Sequence, residues 1–505
     1  MLERLISFLR GGGSHDVTQV ARKHEEHAAT WSLDERVCSF SNRPADTWRL
    51  RDACEGTLIM GASGSGKTSG SGRLIAKSML RNGFGGLVLC AKSDEPELWR
   101  QYARETGREE SLLYFGEPGR EWAFNFLDYE CQRPGAGAGL TENLVNLFLQ
   151  VAEISENKHG RGGKDDFWQR TMKQMLRNAI DIVSIARGGV SLTEIHHVIQ
   201  SAPQSLSQTR SVEWQERSDC YSYLKQAEEA ANIDRSRLND FQMAGQYWMQ
   251  EFPSMADKTR SIIVSSFTSM ADGFLRGKLR NLFCGETNCV PEMVLNGTVV
   301  VVALPVKEYA EIGQFAAALW KYMLQKALER RADLGTESAR PVFIWADEAQ
   351  YFFTSYDQLF QTTARSAKAA TVYLTQNLPN LYDAFGGDGA GKSKADSLLG
   401  NLGTKIFHAN SDPVTNHWAS ETIGKTSRIM LNYSDGRSSS FGGSPSRNMG
   451  QGGSEMIDHE VRPREFQTLL RGGPPKGVVE GIVYQSGRQW STGKLWRKTG
   501  FSQCF

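Results

Sequence analysis

The stretch from Thr57 to Arg73, TLIMGASGSGKTSGSGR, holds the residues of this sequence best suited to chemistry. Gly61, Gly66, Lys67 and Thr68 fit the pattern G-x-x-x-x-G-K-[ST], in which a glycine-rich turn presents backbone N–H groups to phosphate oxygens. In this pattern the lysine reaches the β and γ phosphates and the hydroxyl binds Mg²⁺. The stretch therefore predicts a site for Mg²⁺ and a nucleotide.

The elements predicted on either side support this interpretation. Thr57–Met60 is a short apolar run typical of a buried strand, and Leu74, Ile75 and Met79 follow at helical spacing. The N-terminus of such a helix adds partial positive charge beside the phosphates. We assign seven residues to phosphate binding, namely Gly61, Ser63, Gly64, Ser65, Gly66, Lys67 and Thr68.

A second match to the same pattern, GGDGAGKS at 386–393, provides an internal comparison. The residues before it, LPNLYDAF, look like the end of a helix and include no strand-like run. Because a phosphate loop needs a strand before it and a helix after it, we predict a surface loop here and no nucleotide site.

A pair of adjacent carboxylates, Asp347 and Glu348, follows the apolar run PVFIWA. In a phosphate-loop enzyme, the first carboxylate of such a pair orients hydrated Mg²⁺ and the second polarises the attacking water. Gln376 follows the predicted strand Thr371–Thr375 and is placed to sense the γ-phosphate or position that water. The pattern predicts phosphoryl transfer to water, with these three residues as catalytic residues and Asp347 also a Mg²⁺ ligand.

Three further charged side chains are candidates from position alone. Lys92 and Asp94 follow the predicted strand Gly86–Cys90, at the carboxyl end where open α/β sheets place ligands, and are equally consistent with ordinary loop charges. Arg365 lies just before the Thr371–Thr375 strand. It either reaches a phosphate, in its own subunit or a neighbour's, or caps a helix C-terminus.

Composition limits the class of protein. The chain of 505 residues has room for two or three domains, and its net charge of +1 excludes a globally basic nucleic-acid coat protein but not a locally basic channel. The eight cysteines form no C-x-x-C pair, and Cys284 and Cys289 have no histidine nearby, so a zinc site built on cysteines is not expected. The cysteine usage predicts a reduced, cytoplasmic chain. No stretch approaches the ~20 apolar residues of a membrane span.

The elements that position these residues are predicted to form an α/β domain with a parallel sheet, interrupted by helices. Helical periodicity runs from 143 to 283, where the segment 258–280 is interpreted as one closing helix. An amphipathic crossover helix is predicted over 315–328. The runs Lys405–Ala409 and Val478–Tyr484 are predicted to complete the sheet.

Domain boundaries follow from these shifts of pattern. We predict an N-terminal polar and amphipathic segment (1–27), a nucleotide-binding domain in two parts (28–135 and 291–505) and an inserted all-α domain (136–290). Residues 434–457 are Gly/Ser-rich and predicted to be a flexible loop. In the first segment, HEEH at 24–27 is interpreted as a solvated helix face.

Several motifs in order resemble the coupling ATPases of type IV secretion and conjugation, the VirD4/TraG/TraD family within the RecA-like hexameric motors. They are LIMGASGSGKT, AKSDEPELW, DFWQRTMKQML, VVVALPVKEY, VFIWADEAQ, ARSAKAATVYLTQN and TKIFHANSDPVTNHWASETIG. The resemblance covers residues 28–495. It implies a RecA-like phosphate-loop fold, ATP and Mg²⁺ as cofactors, and a homo-hexamer with nucleotide between its subunits.

The resemblance also implies roles and partners. Lys67 and Thr68 become phosphate and Mg²⁺ ligands, Asp347 and Glu348 the acidic pair, Gln376 the sensor and Arg365 an arginine acting across the subunit boundary. Implied partners are DNA, expected as a single strand in a central channel, channel components of the secretion system, and a relaxase, relaxosome or effector protein bound by the all-α domain.

In one respect the sequence departs from the family. Typical members begin with two transmembrane helices, and this sequence shows none. The chain is then either from a soluble branch or docked through partners at the inner face of the bacterial inner membrane. Two other functions stay open: a soluble DNA translocase of the FtsK/HerA type, and a nucleotide-switched platform that docks protein cargo, which the near-neutral charge favours.

Overall fold

A computed structural model describes residues 31–156, 166–332, 339–438 and 446–503. The predicted N-terminal segment 1–27, with its HEEH motif, lies outside these residues. Within them, no helix combines the length and the apolar character needed to cross a membrane.

A nine-stranded sheet is the centre of the fold, in the order β13-β12-β9-β3-β8-β7-β4-β6-β5. Seven neighbouring strands, β9 to β5 in that order, are parallel, and β12 and β13, at one side of the sheet, each pair antiparallel with their neighbours. The strands are β3 (Thr57–Met60), β4 (Gly85–Leu89), β5 (Leu112–Phe115), β6 (Val299–Val302), β7 (Val342–Ala346), β8 (Ala369–Thr375), β9 (Thr404–Phe407), β12 (Val478–Gln485) and β13 (Trp496–Ser502).

The parallel strands are apolar throughout because both faces of the sheet are covered. Side chains alternate between faces, so Leu58 and Met60 of β3 enter one core while Ile59 enters the other. The fold is therefore an α/β RecA-like sheet, as predicted. The sheet nevertheless has one strand more at each edge than predicted, because β5 pairs with β6 and β13 pairs with β12 along its whole length.

Helices cover both faces. The core that contains Ile59 contacts α1 (Leu50–Cys54), α2 (Arg73–Arg81) and α3 (Glu95–Thr106), together with a small hairpin of β1 (Arg36–Ser39) and β2 (Thr47–Arg49). The core that contains Leu58 and Met60 contacts α13 (Val306–Ala332), which is kinked at Ala310, and the helices inserted between β5 and β6. The helices that follow α13 are α14 (Tyr356–Thr363), α15 (Leu378–Ala384), α16 (Gly389–Asn401), α17 (Pro413–Ile423) and α18 (Pro463–Gln467).

The inserted segment is helical, in agreement with its periodicity. Its helices are α4 (Phe126–Gln132), α5 (Thr141–Glu156), α6 (Asp166–Arg187), α7 (Leu192–Gln200), α8 (Val212–Arg217), α9 (Asp219–Ile233), α10 (Leu238–Gln246), α11 (Asp257–Phe274) and α12 (Gly277–Phe283). The prediction of a single closing helix over 258–280 is wrong. The helix is interrupted between α11 and α12, where Arg276 is extended and Gly277 has a φ of 48°.

The predicted crossover helix over 315–328 is present, but part of its polar face is buried and does not contact solvent. Lys321 and Gln325, on its polar face, are fully buried with the apolar residues. Lys321 pairs with the buried Asp357, which also accepts a hydrogen bond of 2.9 Å from Gln325 Nε2. A buried charge is retained only when it is paired and hydrogen-bonded, which explains how a polar face enters the core.

The prediction of a flexible loop over 434–457 is wrong in its main part. Strands β10 (Lys425–Ser438) and β11 (Ser446–His459) form an antiparallel hairpin in continuous register from Lys425–His459 to Ser438–Ser446. The Gly/Ser-rich β11 has little strand preference of its own. Its backbone pairs with β10, whose first part, KTSRIMLNY, includes the strand-favouring residues Thr426, Ile429 and Tyr433.

The second phosphate-loop match also differs from its prediction. Instead of a surface loop, residues 389–401 form α16, which starts at the Asp388 cap, where the side chain accepts a hydrogen bond from Gly391 N. The segment before it is α15, as the sequence indicated, so no strand leads into this match. This geometry lacks the strand, turn and helix of a phosphate loop.

Candidate active site

The phosphate loop lies between β3 and α2, at the carboxyl edge of the sheet. After Met60 the chain turns through Gly61–Lys67 and enters a single π-helical turn, Thr68–Gly72, that leads directly into α2. Gly64 and Gly66 have φ values of 70° and 81°, a region that favours glycine. A Cβ on Gly66 would also lie 2.6 Å from a methyl group of Val479, so this position requires glycine.

The acidic pair faces the loop across the sheet. Asp347 and Glu348 follow β7, and the Thr68 hydroxyl donates a hydrogen bond of 2.8 Å to Asp347 Oδ2. Lys67 Nζ lies 3.7 Å from Glu348 Oε1. Both carboxylates and Lys67 are less than a tenth exposed. The structure therefore brings together the residues that the sequence assigned to phosphate, Mg²⁺ and water.

Glu348 is held in an unusual backbone conformation. Its φ and ψ are both 50°, in the left-handed region that is rare for a residue other than glycine. Gln376 Nε2 donates to Glu348 Oε1 at 3.1 Å, and Gln350 Nε2 donates to Oε2 at 3.0 Å. Two amides thus hold one carboxylate, and the strained backbone directs it into the site.

A second lysine completes the cluster. Lys92 Nζ lies 3.3 Å from both Asp347 Oδ2 and Glu348 Oε1. Its burial opposes the charge, but the two carboxylates outweigh this and raise the pKa of Lys92. The sequence left open whether Lys92 is an ordinary loop charge, and the structure places it in the site. Asp94, the other half of that prediction, precedes α3 as its N-terminal flanking residue.

The ionisation of Glu348 depends on these neighbours. Burial opposes its charge, yet the Lys67 ammonium, the amide hydrogen bonds of Gln350 and Gln376, and Lys92 lower its pKa to about 2. A carboxylate with so low a pKa is a weak proton acceptor. In this state it is better suited to orient and polarise a water molecule than to hold a proton.

His408 is a residue of the site that sequence reasoning missed. It follows β9 and is buried beneath the loop, where its Nδ1 donates to the Glu480 carbonyl at 2.8 Å. Its Nε2 must then accept the hydrogen bond of 2.6 Å from the Ser71 hydroxyl in the π-helical turn. Burial lowers the pKa of His408 to about 4, so it supports the loop as a neutral imidazole.

Arg365 lies away from this cluster. It precedes β8, whereas Gln376 follows it, and a strand of seven residues spans roughly 20 Å. Its side chain is about half exposed and pairs with Glu55 Oε1 at 3.4 Å, at the amino edge of the sheet. Within its own subunit, Arg365 therefore does not reach the phosphate loop.

The cluster opens into a cavity of about 370 Å³. Its walls include Ser63–Thr68, Lys92, Glu348 and Gln376, together with Tyr102 and Lys307. Three lysine side chains, those of Lys67, Lys92 and Lys307, thus line one concave surface. This arrangement suits a polyanionic ligand such as a nucleoside triphosphate.

Comparison with known proteins agrees with this geometry. The family model for conjugative DNA transfer by the type IV secretory system matches residues 17–468. No curated protein sequence matches the chain. Among solved structures, the unbound bacterial conjugative coupling protein TrwB is similar with a TM-score of 0.60 and 15% identity, over 95% of this chain and 90% of that chain.

Two further structures of the same plasmid coupling protein are similar. The complex of TrwB with ADP and Mg²⁺ has a TM-score of 0.59 and 14% identity, over 97% of this chain and 92% of that chain. The complex with a non-hydrolysable ATP analogue has a TM-score of 0.58 and 15% identity, over 97% and 94%. At these identities the likeness establishes the fold.

Proposed function

Because the chain belongs to the family of conjugative DNA transfer proteins of type IV secretory systems, we propose that it is a coupling ATPase that drives DNA into a secretion channel. The observation that carries the ATPase part is the cluster at the carboxyl edge of the sheet. There the Thr68 hydroxyl contacts Asp347 at 2.8 Å while Lys67 and Lys92 lie beside Glu348. The chemistry of phosphoryl transfer needs these groups together.

The residues present fit ATP and Mg²⁺. In the part of the chain that the structure describes, the backbone N–H groups of Gly64, Gly66 and Lys67 donate to no other protein group, so they are available to phosphate oxygens. Thr68 Oγ1 and Asp347 Oδ2 are oxygen donors, which Mg²⁺ prefers. Bound Mg²⁺ would supply charge stabilisation on the phosphate oxygens.

The protein's own groups then position the reactants. Lys67 and Lys92 are placed to neutralise charge on the terminal phosphates. Glu348, oriented by its strained backbone and by Gln376, accepts a hydrogen bond from the attacking water and aligns it. Since all of these groups are fixed before reaction, their contribution is electrostatic preorganisation.

We propose a homo-hexamer in the cytoplasm, held by partners at the inner face of the inner membrane, with single-stranded DNA in its central channel. The helical segment α4–α12 would bind a relaxase or an effector protein and present it to channel components. The family match supports these partners, since conjugative transfer requires DNA and a secretion channel.

A nucleotide-switched platform for protein cargo is the second candidate function. The observation in its favour is the net charge of +1, which provides no overall attraction for DNA. DNA binding measured by fluorescence anisotropy over a range of salt concentrations separates the two functions. For a coupling motor, the logarithm of the DNA-binding constant should fall linearly with the logarithm of salt concentration, because phosphate contacts release counterions. No measurable DNA binding at low salt would favour the platform.

We expect Lys92→Ala to lower ATP turnover about 10- to 100-fold, because a charge-assisted contact contributes about 1.5–3 kcal/mol. Lys92→Arg, which keeps the charge, should retain more activity. The measurement is steady-state hydrolysis, with nucleotide affinity determined separately from fluorescence. If turnover instead rises in Lys92→Ala, the lysine acts by restraining the acidic pair, and its assignment to the phosphates is wrong.

For Arg365, we expect Arg365→Ala to abolish turnover without weakening ATP binding, because this side chain lies away from the phosphate loop of its own subunit and would act on the nucleotide of a neighbour. When wild-type and variant chains are mixed, ATP turnover should then fall below the value that the wild-type fraction alone would give. Arg36→Ala, which removes an exposed arginine from β1, is the control. Turnover by a strictly monomeric wild-type sample would contradict a role across the subunit boundary.

A further inference from the structure

A cluster of metal-ligating side chains lies outside the active site, where the β10–β11 hairpin joins the domain. His417 and Glu421 are one turn apart on α17, so they share a face of that helix. His459 is the last residue of β11 and faces the same carboxylate. These three residues bring one ligand atom each to within 4.8 Å of one another.

The distances suit a single ion. His459 Nε2 lies 3.0 Å from Glu421 Oε1, and His417 Nε2 lies 3.9 Å from the same oxygen. Donors bound tetrahedrally to Zn²⁺ at about 2.0–2.1 Å are about 3.3 Å apart. The His417 side chain is 65% exposed, so a small rotation brings its ring to that separation. The pair of imidazoles with one carboxylate is a ligand set found in zinc proteins, with water in the fourth position.

We propose that His417, Glu421 and His459 form a binding site for Zn²⁺ that ties the base of the β10–β11 hairpin to α17. The sequence alone hides this site because His459 is 38 residues beyond Glu421. Only the long hairpin returns the chain to the helix: its first strand begins at Lys425, whose register partner is His459.

One charge opposes the site. Lys425 Nζ lies 3.0 Å from Glu421 Oε1, where it competes with a cation for the same oxygen. Its side chain is 46% exposed and free to turn into solvent. Nearby Arg428 and Arg462 are held by Asp458 and do not contact Glu421. Removing the Lys425 charge should therefore tighten metal binding, so the proposal can be tested by a gain in metal affinity as well as by a loss.

The site would fix the direction in which the hairpin leaves the domain. The helix α17 is anchored to the active-site side of the sheet, since the Thr415 hydroxyl accepts from Leu378 N at 2.8 Å and Trp418 packs against Phe407. One face of the hairpin carries Ile429 and Ile457, each 74% exposed. Bound metal would hold that face in a constant orientation.

The test is isothermal titration of the full chain with ZnCl₂ after chelator treatment. His24→Ala/His27→Ala serves as the background, to remove the N-terminal HEEH motif. We expect one Zn²⁺ per chain with a Kd below about 100 μM. Binding should weaken at least tenfold in His417→Ala and in His459→Ala, and tighten several-fold in Lys425→Met. His196→Ala/His197→Ala, a histidine pair on α7, is the matched control and should not change it.

A second readout protects against misfolding of a variant. Zn²⁺ should raise the melting temperature of the parent and of Lys425→Met, and have no effect on His417→Ala, since only the bound folded state is stabilised. His417→Gln, which keeps the size of the side chain, should behave like His417→Ala. Binding of equal strength in the parent, His417→Ala and His459→Ala, or no saturable binding to the parent, overturns the proposal.

Discussion

Glu348→Gln should bind ATP with the affinity of the wild type and hydrolyse it about 10²- to 10⁴-fold more slowly, the range expected when a group that activates water is lost. The substitution keeps the size of the side chain and removes its charge. Because the pKa of Glu348 lies at about 2, the carboxylate is ionised throughout the range of pH 5–8, and the variant differs from the wild type at every pH in it.

The measurements are steady-state hydrolysis and equilibrium binding of a fluorescent nucleotide. Gln350→Ala is the matched comparison, because it removes one hydrogen bond to the same carboxylate and leaves its charge. It should cost far less activity than Glu348→Gln. Retention of more than about a tenth of wild-type turnover by Glu348→Gln would show that another group activates the water.

Lys67→Ala should weaken ATP binding about 10- to 100-fold and lower turnover about 10²- to 10³-fold or more. The ammonium is buried beside Glu348, so no solvent cation replaces it in the same geometry. The chain offers its own control, Lys392→Ala, in the second match to the same pattern. That variant should bind and hydrolyse ATP as the wild type does, because α15 and not a strand precedes the match.

The thermal stability of Lys67→Ala and of Lys392→Ala should also be measured. In Lys67→Ala, Lys92 still lies 3.3 Å from Glu348, so the acidic pair is not left without a cation and the fold should persist. An equal loss of ATP binding in the two variants would contradict the assignment of Lys67, since it would point to a general effect of removing a lysine.

The residues of the site were predictable because they lie next to strands. An apolar strand followed by a polar residue places that residue at the carboxyl edge of a parallel sheet, whatever the sheet order is. Asp347 and Gln376 were found in this way, whereas Lys67 was found from the phosphate-loop pattern that follows β3. The side chains that contact Glu348 were predicted only in part. Lys92 was a candidate that was equally consistent with an ordinary loop charge. Gln350 was not singled out, although it lies two residues beyond the carboxylate.

Other parts depend on long-range contacts that no local pattern contains. The His408 ring is held between two partners only because β12 brings the Glu480 carbonyl to the side opposite Ser71. The Gly/Ser-rich β11 is a strand only because β10 pairs with it. Lys321 lies on the polar face of the predicted amphipathic helix, and it is buried because Asp357 pairs with it. In each case the partner is distant in sequence, and its contact decides the outcome.

The most direct test of a DNA-coupled ATPase is hydrolysis measured against protein concentration, with and without single-stranded and duplex DNA, beside Glu348→Gln. The account predicts turnover that rises steeply with protein concentration, increases when DNA is added and is nearly absent in the variant. Turnover that is unaffected by either kind of DNA would contradict the coupling of hydrolysis to DNA and favour the protein-docking platform.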